Sequence, residues 1–547
     1  MAYHVKPLRA PRLAGAALRM FTALAETPGV GAPLRRAMLK AAGIPAFREV
    51  RSDDAAVVVP PLPGTADLAP SPPCPQSSPP ADGRFVAAYR AGATTPQDVA
   101  ERFLQAVAAG DRADPPLRAF VATDPADLRS QALASARRYG EGRPLGPLDG
   151  VPVAVKDELD QVPYPTTAGT KFLGREPARH DATVVARLRA AGALLVGKTG
   201  MHEAGMGVTG INPHHGTPRN PFDASRVTGG SSSGSAAAVC AGLCAAAVSA
   251  DAGGSIRIPA ALCGVVGLKP TFGRVSERGA VPLCWSAAHV GVIGATAADV
   301  APVYLAIAGP DPLDPNTARQ PTPTAPRLDR PDLHGTRVGV YPPWFNDADE
   351  GVVSTCRRAL DALASAGAEV REVEIPDLHL VRPVHFVTVA TEWATAFAGP
   401  HRARASEMGC DVRLVKRLAE CLHGTDYVHA QRLRRRICAH FAAALEAVDL
   451  IATPSTSTTA PPISTDALCT GESDFSLLER LSRFVTAANL TGHPAISIPA
   501  GYDPGGLPVG LQLIGRPWRE DVLLAVASVA DRVVGRRPPN VCFSLLP

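Results

Sequence analysis

The sequence at residues 227–239, VTGGSSSGSAAAV, joins a loop of glycines and serines directly to a run of alanines. Glycine permits backbone conformations that other residues adopt only with strain, so such a loop can turn sharply before a helix begins. Its hydroxyl groups can also donate and accept protons. We predict that the loop opens a helix and that Ser231 relays a proton, whereas the attacking serine lies elsewhere in the chain.

Two further segments complete the pattern that this loop begins. The stretch GVPVAVKDELD, residues 150–160, indicates a buried apolar strand with one lysine, Lys156, at its end. The stretch DAGGSIRIP, residues 251–259, places two glycines immediately before Ser255. Taken singly, a strand-end lysine or a Gly–Ser turn has an ordinary structural role, but the three segments together indicate catalysis.

These residue types match the needs of amide hydrolysis, which requires a nucleophile, a base that later protonates the departing amine, and donors for the oxyanion. Ser255 supplies the nucleophilic hydroxyl. Consecutive backbone N–H groups can point at the oxyanion, namely those of Ala252, Gly253, Gly254 and Ser255. Lys156 can act as the base only when it is uncharged, and burial on an apolar strand favours that state. Ser231 would carry the proton between Ser255 and this lysine.

The composition is that of a large folded protein. The 547 residues are 46% hydrophobic and 19% charged, which excludes intrinsic disorder, and the net charge of +4 predicts no nucleic-acid partner. The most basic run, Arg432–Arg436, has apolar residues at helical spacing and no interleaved aromatic residues, so we expect a solvated helix face. Eleven cysteines without a CxxC pair indicate reduced thiols.

The sequence also predicts where the protein resides. The N-terminal stretch MAYHVKPLRAPRL contains no apolar segment typical of a secretion signal. The longest run of small apolar residues, 235–250, is too short and too weakly apolar to span a bilayer. We therefore expect a cytoplasmic protein.

Three short motifs suggest other chemistry but lack the context that it requires. GALLVGKT at 192–199 fits a phosphate-binding loop, yet its middle residues are those of a buried strand and a helix precedes it. GSSSG at 230–234 fits the nucleophile elbow of α/β-hydrolases, but the residues before it indicate polar turns rather than a core strand. HEAG at 202–205 begins like a zinc-binding helix, but Met206 stands where the second histidine would be, so no metal site is predicted.

Helix and strand patterns alternate along most of the chain, which predicts the α/β class. Thr95-Pro96 marks a helix start, a helix pattern covers 180–192, and a strand pattern covers 193–197. A second Pro-rich stretch at 309–331 separates two halves of this alternating region.

Composition divides the chain into three parts: a helical N-terminal extension over 1–59, a Pro-rich linker over 60–82 and one large domain over 83–547. The amphipathic pattern of the extension covers residues 11–44. Thr27-Pro28-Gly29 interrupts this pattern, and a second short helix is predicted over Leu34–Ala42.

The joint pattern resembles the amidase signature family, whose members carry a Ser–cis-Ser–Lys triad. The resemblance covers residues 84–540. It rests on the Gly–Ser loop, on the pattern D-x-G-G-S-[IV]-R-x-P at 251–259, and on ANLTGHPAISIPAGYDPGGLPVGLQLIG at 488–515. It implies a large mixed twisted sheet with helices on both faces, and catalysis that needs no metal or cofactor.

Carried over residue by residue, the resemblance implies a role for each catalytic position. Ser255 would be the nucleophile, Ser231 the bridging serine on a cis peptide, and Lys156 the base. The two serines are 24 residues apart, which is usual in that family. Ser232 would support the relay, and Arg257 would brace the loop that carries the nucleophile.

One departure from the family pattern lies just before this loop. The family commonly has Gly-Thr before the aspartate, whereas this chain has Ser249-Ala250. The threonine hydroxyl is expected to help hold the lysine. Its absence puts the position of Lys156 in question.

Further segments resemble the plant-type fatty acid amide hydrolases, which cleave N-acylethanolamines and related acyl amides. They are residues 10–34, WFND at 344–347, AQRLRRR at 430–436 and GRPWRE at 515–520. This resemblance implies a fatty acyl amide substrate, a homodimer and a helical cap near the acyl channel. It also implies that Gly205, Met206 and Val208 line the substrate site. The amphipathic pattern of residues 11–44 itself indicates either a helical hairpin packed on the main body or a surface that makes peripheral membrane contact or guides an apolar substrate.

Other functions stay open at this stage. The protein could be a general short-chain or aryl amidase, a glutamine amidotransferase subunit that passes ammonia to a partner enzyme, or an inactive binding protein. The apolar N-terminal extension argues against the amidotransferase. The three filled triad positions argue against an inactive protein.

Overall fold

The computed structural model describes residues 7–8, 10–52, 54–56, 83–330, 332–398 and 404–547. The predicted Pro-rich linker over 60–82 lies outside these residues. The helices are α1 (Gly15–Glu26), α2 (Gly31–Ala41), α3 (Ile44–Arg48), α4 (Arg84–Arg90), α5 (Pro96–Arg112), α6 (Pro125–Gly140), α7 (Thr183–Ala190), α8 (Ser233–Cys240), α9 (Arg257–Cys263), α10 (Ala297–Ile307), α11 (Pro342–Phe345), α12 (Glu350–Ser365), α13 (Val381–Ala396), α14 (Cys410–Ala419), α15 (Gly424–Ala447), α16 (Phe475–Ser482), α17 (Thr486–Thr491) and α18 (Glu520–Val533). The strands are β1 (Leu13–Ala14), β2 (Phe120–Ala122), β3 (Pro152–Lys156), β4 (Leu194–Thr199), β5 (Arg219–Asn220), β6 (Asp223–Val227), β7 (Ala246–Ala250), β8 (Val266–Lys269), β9 (Val290–Gly294), β10 (Arg337–Val340), β11 (Glu369–Glu372), β12 (Leu450–Pro454), β13 (Glu472–Ser473), β14 (Ala495–Tyr502) and β15 (Pro508–Gly515).

Eleven of the described strands form one mixed sheet in the order β11–β10–β12–β15–β14–β8–β9–β7–β3–β4–β2. Strand β3 runs parallel to β4 and β7, whereas β7 pairs with β9, and β8 with β14, in antiparallel fashion. Successive residues of β12 enter different cores: Leu450 and Ala452 belong to one buried cluster and Ile451 to another. Helices therefore cover both faces of the sheet, and the predicted fold class is confirmed.

Strand β3 carries Lys156 to one edge of the sheet. All five of its residues are buried, as expected for a parallel strand that is covered on both faces. Strand β7 is parallel to β3 and ends at Ala250, so the loop that contains Ser255 leaves the sheet at the same edge. The predicted buried strand that ends at Lys156 is confirmed, and its topology brings two of the three predicted segments together.

The predicted helix and strand next to β3 are also confirmed. Helix α5 begins at Thr95-Pro96, where the Thr95 Oγ accepts a hydrogen bond from the Asp98 amide and the Asp98 carboxylate accepts one from the Thr95 amide. The helix predicted over 180–192 forms as the shorter α7. The motif at 192–199 contributes the buried strand β4 rather than a phosphate-binding loop.

The N-terminal extension packs against helix α14. Leu18 and Ala25 of α1 lie in one buried cluster with Leu414, and Glu26 forms an ion pair with Arg413. The chain leaves the helical conformation after Glu26, as the Thr27-Pro28-Gly29 signal predicts, and α2 covers Gly31–Ala41 rather than 34–42. The extension is thus tied to the body of the protein by apolar and ionic contacts.

The expectation of a solvated face at Arg432–Arg436 is wrong. Arg434 is fully buried, and its guanidinium donates hydrogen bonds to the Leu490 carbonyl and to Ser286. Arg436 forms an ion pair with Asp54 at 3.0 Å. Three of the four arginines in this run therefore bind other parts of the chain, and only Arg435 is exposed to solvent.

The residues before the GSSSG motif differ from the predicted turns. They form a short antiparallel hairpin of β5 and β6, which stands apart from the eleven-stranded sheet. The nucleophile elbow of α/β-hydrolases follows a core strand, so this hairpin does not provide its context.

Within the described ranges, no helix is both long enough and apolar enough to cross a bilayer. The ten cysteines in the same ranges are free thiols.

Candidate active site

Lys156 is fully buried at the end of β3 and donates hydrogen bonds to two oxygen atoms. Its Nζ donates a hydrogen bond to the Ser231 Oγ at 2.8 Å and to the Ala250 carbonyl at 3.2 Å. Ala250, which stands where the family commonly has threonine, therefore still binds the lysine through its backbone carbonyl. The neighbouring Ser249 hydroxyl donates to Ser235 instead.

A carboxylate that the sequence analysis did not single out lies beside this lysine. The Glu158 Oε1 is 3.0 Å from the Lys156 Nζ, and the two side chains are only 3% and 1% exposed. Apart from this ion pair, that oxygen has no hydrogen-bond partner among the described residues. The acidic run KDELD at the end of the strand is the sequence feature that could have indicated this carboxylate.

The Gly–Ser loop places Ser231 against the lysine. The Gly230–Ser231 peptide is cis, and Ser231 is buried. Backbone hydrogen bonds hold both serines of the loop: the Ser231 carbonyl accepts from the His202 amide, and the Ser232 amide donates to the Ser255 carbonyl at 3.2 Å. The Ser232 hydroxyl donates to the Ala250 carbonyl at 3.4 Å, which is the same oxygen that accepts from Lys156.

The loop that carries Ser255 folds around the Asp251 carboxylate. This carboxylate accepts hydrogen bonds from the amides of Gly254 and Ile256 at 2.6 and 3.1 Å. Gly254 has a φ of +107°, a conformation that favours glycine. Its amide is therefore occupied, and the expectation that Gly254 donates to an oxyanion is wrong for this structure. In the described part of the chain, the amides of Ala252, Gly253 and Ser255 have no acceptor.

Ser231 and Ser255 line the same cavity, but their hydroxyl groups are not hydrogen-bonded to each other. The structure thus forms the first link of the predicted relay, from Lys156 to Ser231. The link from Ser231 to Ser255 remains open. Hydrogen bonds between catalytic groups are often long before the substrate binds.

Arg257 braces the loop by binding several buried groups. Its guanidinium pairs with Asp251 at 3.0 Å and donates to the Val485 carbonyl and the Asn489 side chain. Burial alone would raise the pKa of Asp251, but the attraction of Arg257 and the hydrogen bonds outweigh it and hold that pKa well below its ordinary value. The loop is thereby fixed to residues from the late part of the chain.

Replacing Arg257 with methionine should reduce the free energy of unfolding by about 3–5 kcal/mol, because it leaves the Asp251 charge buried without its partner. Urea unfolding at pH 7 measures this loss. Because the pKa of Asp251 is depressed in the fold, its stabilisation is complete above about pH 5 and declines below it, so the difference between the two proteins should shrink in acid. The control is Arg129→Met, which removes an exposed ion pair with Glu101 and should cost less than about 1 kcal/mol.

Two cavities meet at Ser255. The first, of about 290 Å³, is called the acidic chamber because its wall includes Glu158, Glu277 and Asp314. Lys156, Ser231 and Arg278 also line it, and the rest of its wall is mostly apolar. Desolvation, and then the neighbouring Asp314 and Glu158 charges, raise the pKa of Glu277 well above its ordinary value. The fold gathers these acidic side chains from segments that are far apart in sequence, so no local motif indicated them.

The second cavity, of about 140 Å³, is here called the apolar chamber. Its wall contains mostly apolar side chains, namely Leu8, Ala42, Met206, Val208, Phe386, Val389, Ala390, Val415, Phe475 and Leu478. The predicted substrate contacts Gly205 and Met206 lie between the two chambers, since they line both. Leu8 and Ala42 belong to the N-terminal extension, which therefore forms part of the wall.

No group of three or more His, Cys, Asp or Glu side chains in the described part of the structure is arranged to hold a metal ion. The site therefore contains a buried lysine, two serines, backbone amides without an acceptor among the described residues, and two chambers, of which the first has three carboxyl side chains in its wall.

Comparison with known proteins finds relatives along most of the chain. The family model described as Amidase matches residues 99–524. The chain is 43% identical to a fatty acid amide hydrolase of Oryza sativa subsp. indica over 472 residues, which cover 84% of this chain and 78% of that protein. It is 36% identical to a glutamyl-tRNA(Gln) amidotransferase subunit of Chloroflexus aggregans, over 82% of this chain and 96% of that protein. The solved structure of the native peptide amidase from Stenotrophomonas maltophilia has a TM-score of 0.72 and 33% identity, over 83% of this chain and 97% of that one.

Proposed function

Because the chain belongs to the amidase signature family and is an amide-hydrolysing enzyme, we propose that it cleaves fatty acyl amides, such as N-acylethanolamines, through a Ser–Ser–Lys relay. Ser255 forms an acyl-enzyme and is regenerated by water. The apolar chamber that opens at Ser255 carries the proposal on the substrate.

The first half of the reaction forms the acyl-enzyme. Lys156 takes the proton of Ser231, and Ser231 takes that of Ser255 as its Oγ attacks the amide carbonyl. The amides of Ala252, Gly253 and Ser255 stabilise the negative oxygen of the tetrahedral intermediate. The proton returns through Ser231 to the nitrogen, the C–N bond breaks, and the amine leaves.

The second half releases the acid. Water attacks the ester carbonyl and gives its proton through the relay to Lys156. The intermediate collapses, and Ser255 recovers a proton as its bond to the acyl carbon breaks. Glu158 stabilises Lys156 in each charged interval, and this attraction is strong because both side chains are buried.

Chamber polarity supports the assignment of the two substrate parts. The apolar chamber presents side chains such as Phe386, Val415 and Phe475, which suit a hydrocarbon chain. The acidic chamber also reaches the nucleophile, and its side chains Glu158, Glu277 and Asp314 suit a polar amine. An acyl amide would place its carbonyl at Ser255 between them.

A series of ethanolamides with acyl groups from two to sixteen carbons tests the substrate. Each methylene that enters the apolar chamber should raise kcat/KM about fourfold, because its burial contributes about 0.8 kcal/mol. Val415→Trp should lower kcat/KM at least tenfold for the long amides and less than twofold for the acetyl amide, since the indole fills the chamber. The control is Val428→Trp, at a side chain that is 53% exposed on α15.

Other outcomes of the same series would point to the alternatives. Fastest turnover of the acetyl amide or of anilides would indicate a short-chain or aryl amidase. Faster hydrolysis of free glutamine than of any acyl amide would indicate an amidotransferase, which is the activity that the name of the Chloroflexus relative describes.

The extension carries exposed apolar side chains, which support the expected peripheral membrane contact. Met20, Leu24 and Val30 are 65%, 41% and 57% exposed. Both this contact and the expected homodimer stay predictions.

A further inference from the structure

His385 contacts the loop that carries the nucleophile at Ala252 and Gly253, whereas Lys156 contacts Ala250 just before that loop. It lies on α13, and its Nε2 is 2.8 Å from the Ala252 carbonyl oxygen. The ring also packs directly on Gly253, because a Cβ at that position would lie 2.8 Å from the His385 Cε1. Only a glycine therefore fits beside the ring.

The protonation of His385 follows from its surroundings. Desolvation lowers its pKa to about 4, so the imidazole is neutral near pH 7 and carries one N–H. A carbonyl oxygen can only accept a hydrogen bond. The proton must therefore reside on Nε2, and His385 donates to Ala252.

This hydrogen bond has a consequence for the next amide. In a trans peptide the C=O and the N–H point in opposite directions. Anchoring the Ala252 carbonyl on α13 therefore turns the Gly253 N–H away from α13. That amide has no acceptor among the described residues, whereas the following amide, of Gly254, is held by Asp251.

We propose that His385 is a positioning residue for the oxyanion hole: by holding the Ala252 carbonyl, it keeps the Gly253 N–H pointing at the oxyanion. Without it, the peptide beside a glycine could rotate about its two flanking bonds and lose the donor. The inference rests on the proposed acyl-enzyme mechanism at Ser255. No sequence motif indicates it, since 133 residues separate the two partners.

A matched pair of variants tests the proposal. Gln and Met have similar length, but only Gln can donate a hydrogen bond, so His385→Gln should retain the anchor and His385→Met should lose it. We expect His385→Met to lower kcat about 10- to 100-fold with KM within twofold, because the donor acts on the transition state. His385→Gln should stay within about fivefold of the wild type.

Inhibitor affinity separates positioning from mere packing. A trifluoromethyl ketone with the acyl group of the substrate forms an oxyanion when Ser255 adds to it, whereas the alcohol of the same skeleton cannot. His385→Met should weaken the binding of the ketone by the same factor by which it lowers kcat. The same change should leave the binding of the alcohol unaltered. Equal weakening of both compounds, or a kcat within twofold of the wild type, would overturn the proposal.

Two further measurements keep this test decisive. The rate at which a fluorophosphonate labels Ser255 can be measured without knowing which amide is the substrate. This rate is therefore measured for the wild type and for every variant. A wild type that is not labelled at Ser255 would refute the proposed function itself, before any variant is compared. If His385→Met does not fold, Gly253→Ala replaces it: its added methyl pushes against the ring and should slow labelling at least tenfold, and an unchanged rate would refute the positioning role.

Discussion

Replacing Ser255 with alanine should lower kcat for amide hydrolysis by about 10⁵-fold or more, since it removes the atom that attacks the carbonyl. This loss corresponds to about 7 kcal/mol of transition-state stabilisation. The site contains other hydroxyl groups, but Ser231 is hydrogen-bonded to Lys156 and Ser232 faces the Ala250 carbonyl. Neither can take the place of Ser255 without moving its loop.

Two measurements check this result. The hydrolysis rate of the best amide is compared between the wild type, Ser255→Ala and Ser354→Ala, whose exposed serine lies on α12 far along the chain from the site. Mass spectrometry of the fluorophosphonate-treated wild type should then place the adduct on the peptide with Ser255. An adduct on the peptide with Ser231 would reverse the order of the relay.

Replacing Lys156 with methionine should lower kcat by about 10⁴-fold, because no other base among the described residues is hydrogen-bonded to the Ser231 hydroxyl. The loss has two parts: the proton of the nucleophile has no acceptor, and the departing amine has no donor. The change also leaves Glu158 buried without its partner, which should reduce stability.

The chain offers a matched control for this loss. Lys198 is also fully buried, on the neighbouring strand, but its Nζ binds the Leu159 carbonyl outside the relay. Lys198→Met should therefore lower thermal stability while kcat falls less than tenfold. The double variant Lys156→Met/Glu158→Gln removes both buried charges, so it should regain stability without regaining turnover. Full activity in Lys156→Met, once its fold is verified, would rule out the lysine as the base.

The features that could be predicted from the sequence are those that depend on residues close together in the chain. The apolar run before Lys156, the Gly–Ser loop and the double glycine before Ser255 each depend on neighbouring residues, so their positions could be inferred. Two parallel strands then bring the lysine and the nucleophile loop to one edge of the sheet.

What the sequence could not show depends on contacts between distant segments. His385 lies in an ordinary helix, and its role follows only from the approach of α13 to the nucleophile loop. The availability of the Gly254 amide was wrongly predicted because the Asp251 side chain folds back onto it. Arg434 looked like part of a solvated face because a run of arginines gives no sign of the carbonyl groups that it will bind in the fold.

The contacts of Arg257 also bear on how the enzyme is made in the cell. A ribosome must add 255 more residues after this arginine before it reaches Gln512, one of the side chains that the guanidinium binds. At about 5–20 residues per second, that takes about 13–50 s. Throughout this interval the nascent chain already contains Lys156, Ser231 and Ser255, whereas the set of late partners of Arg257 is still incomplete. We therefore expect a product truncated before Gln512 to contain the residues of the proposed triad but to lack turnover.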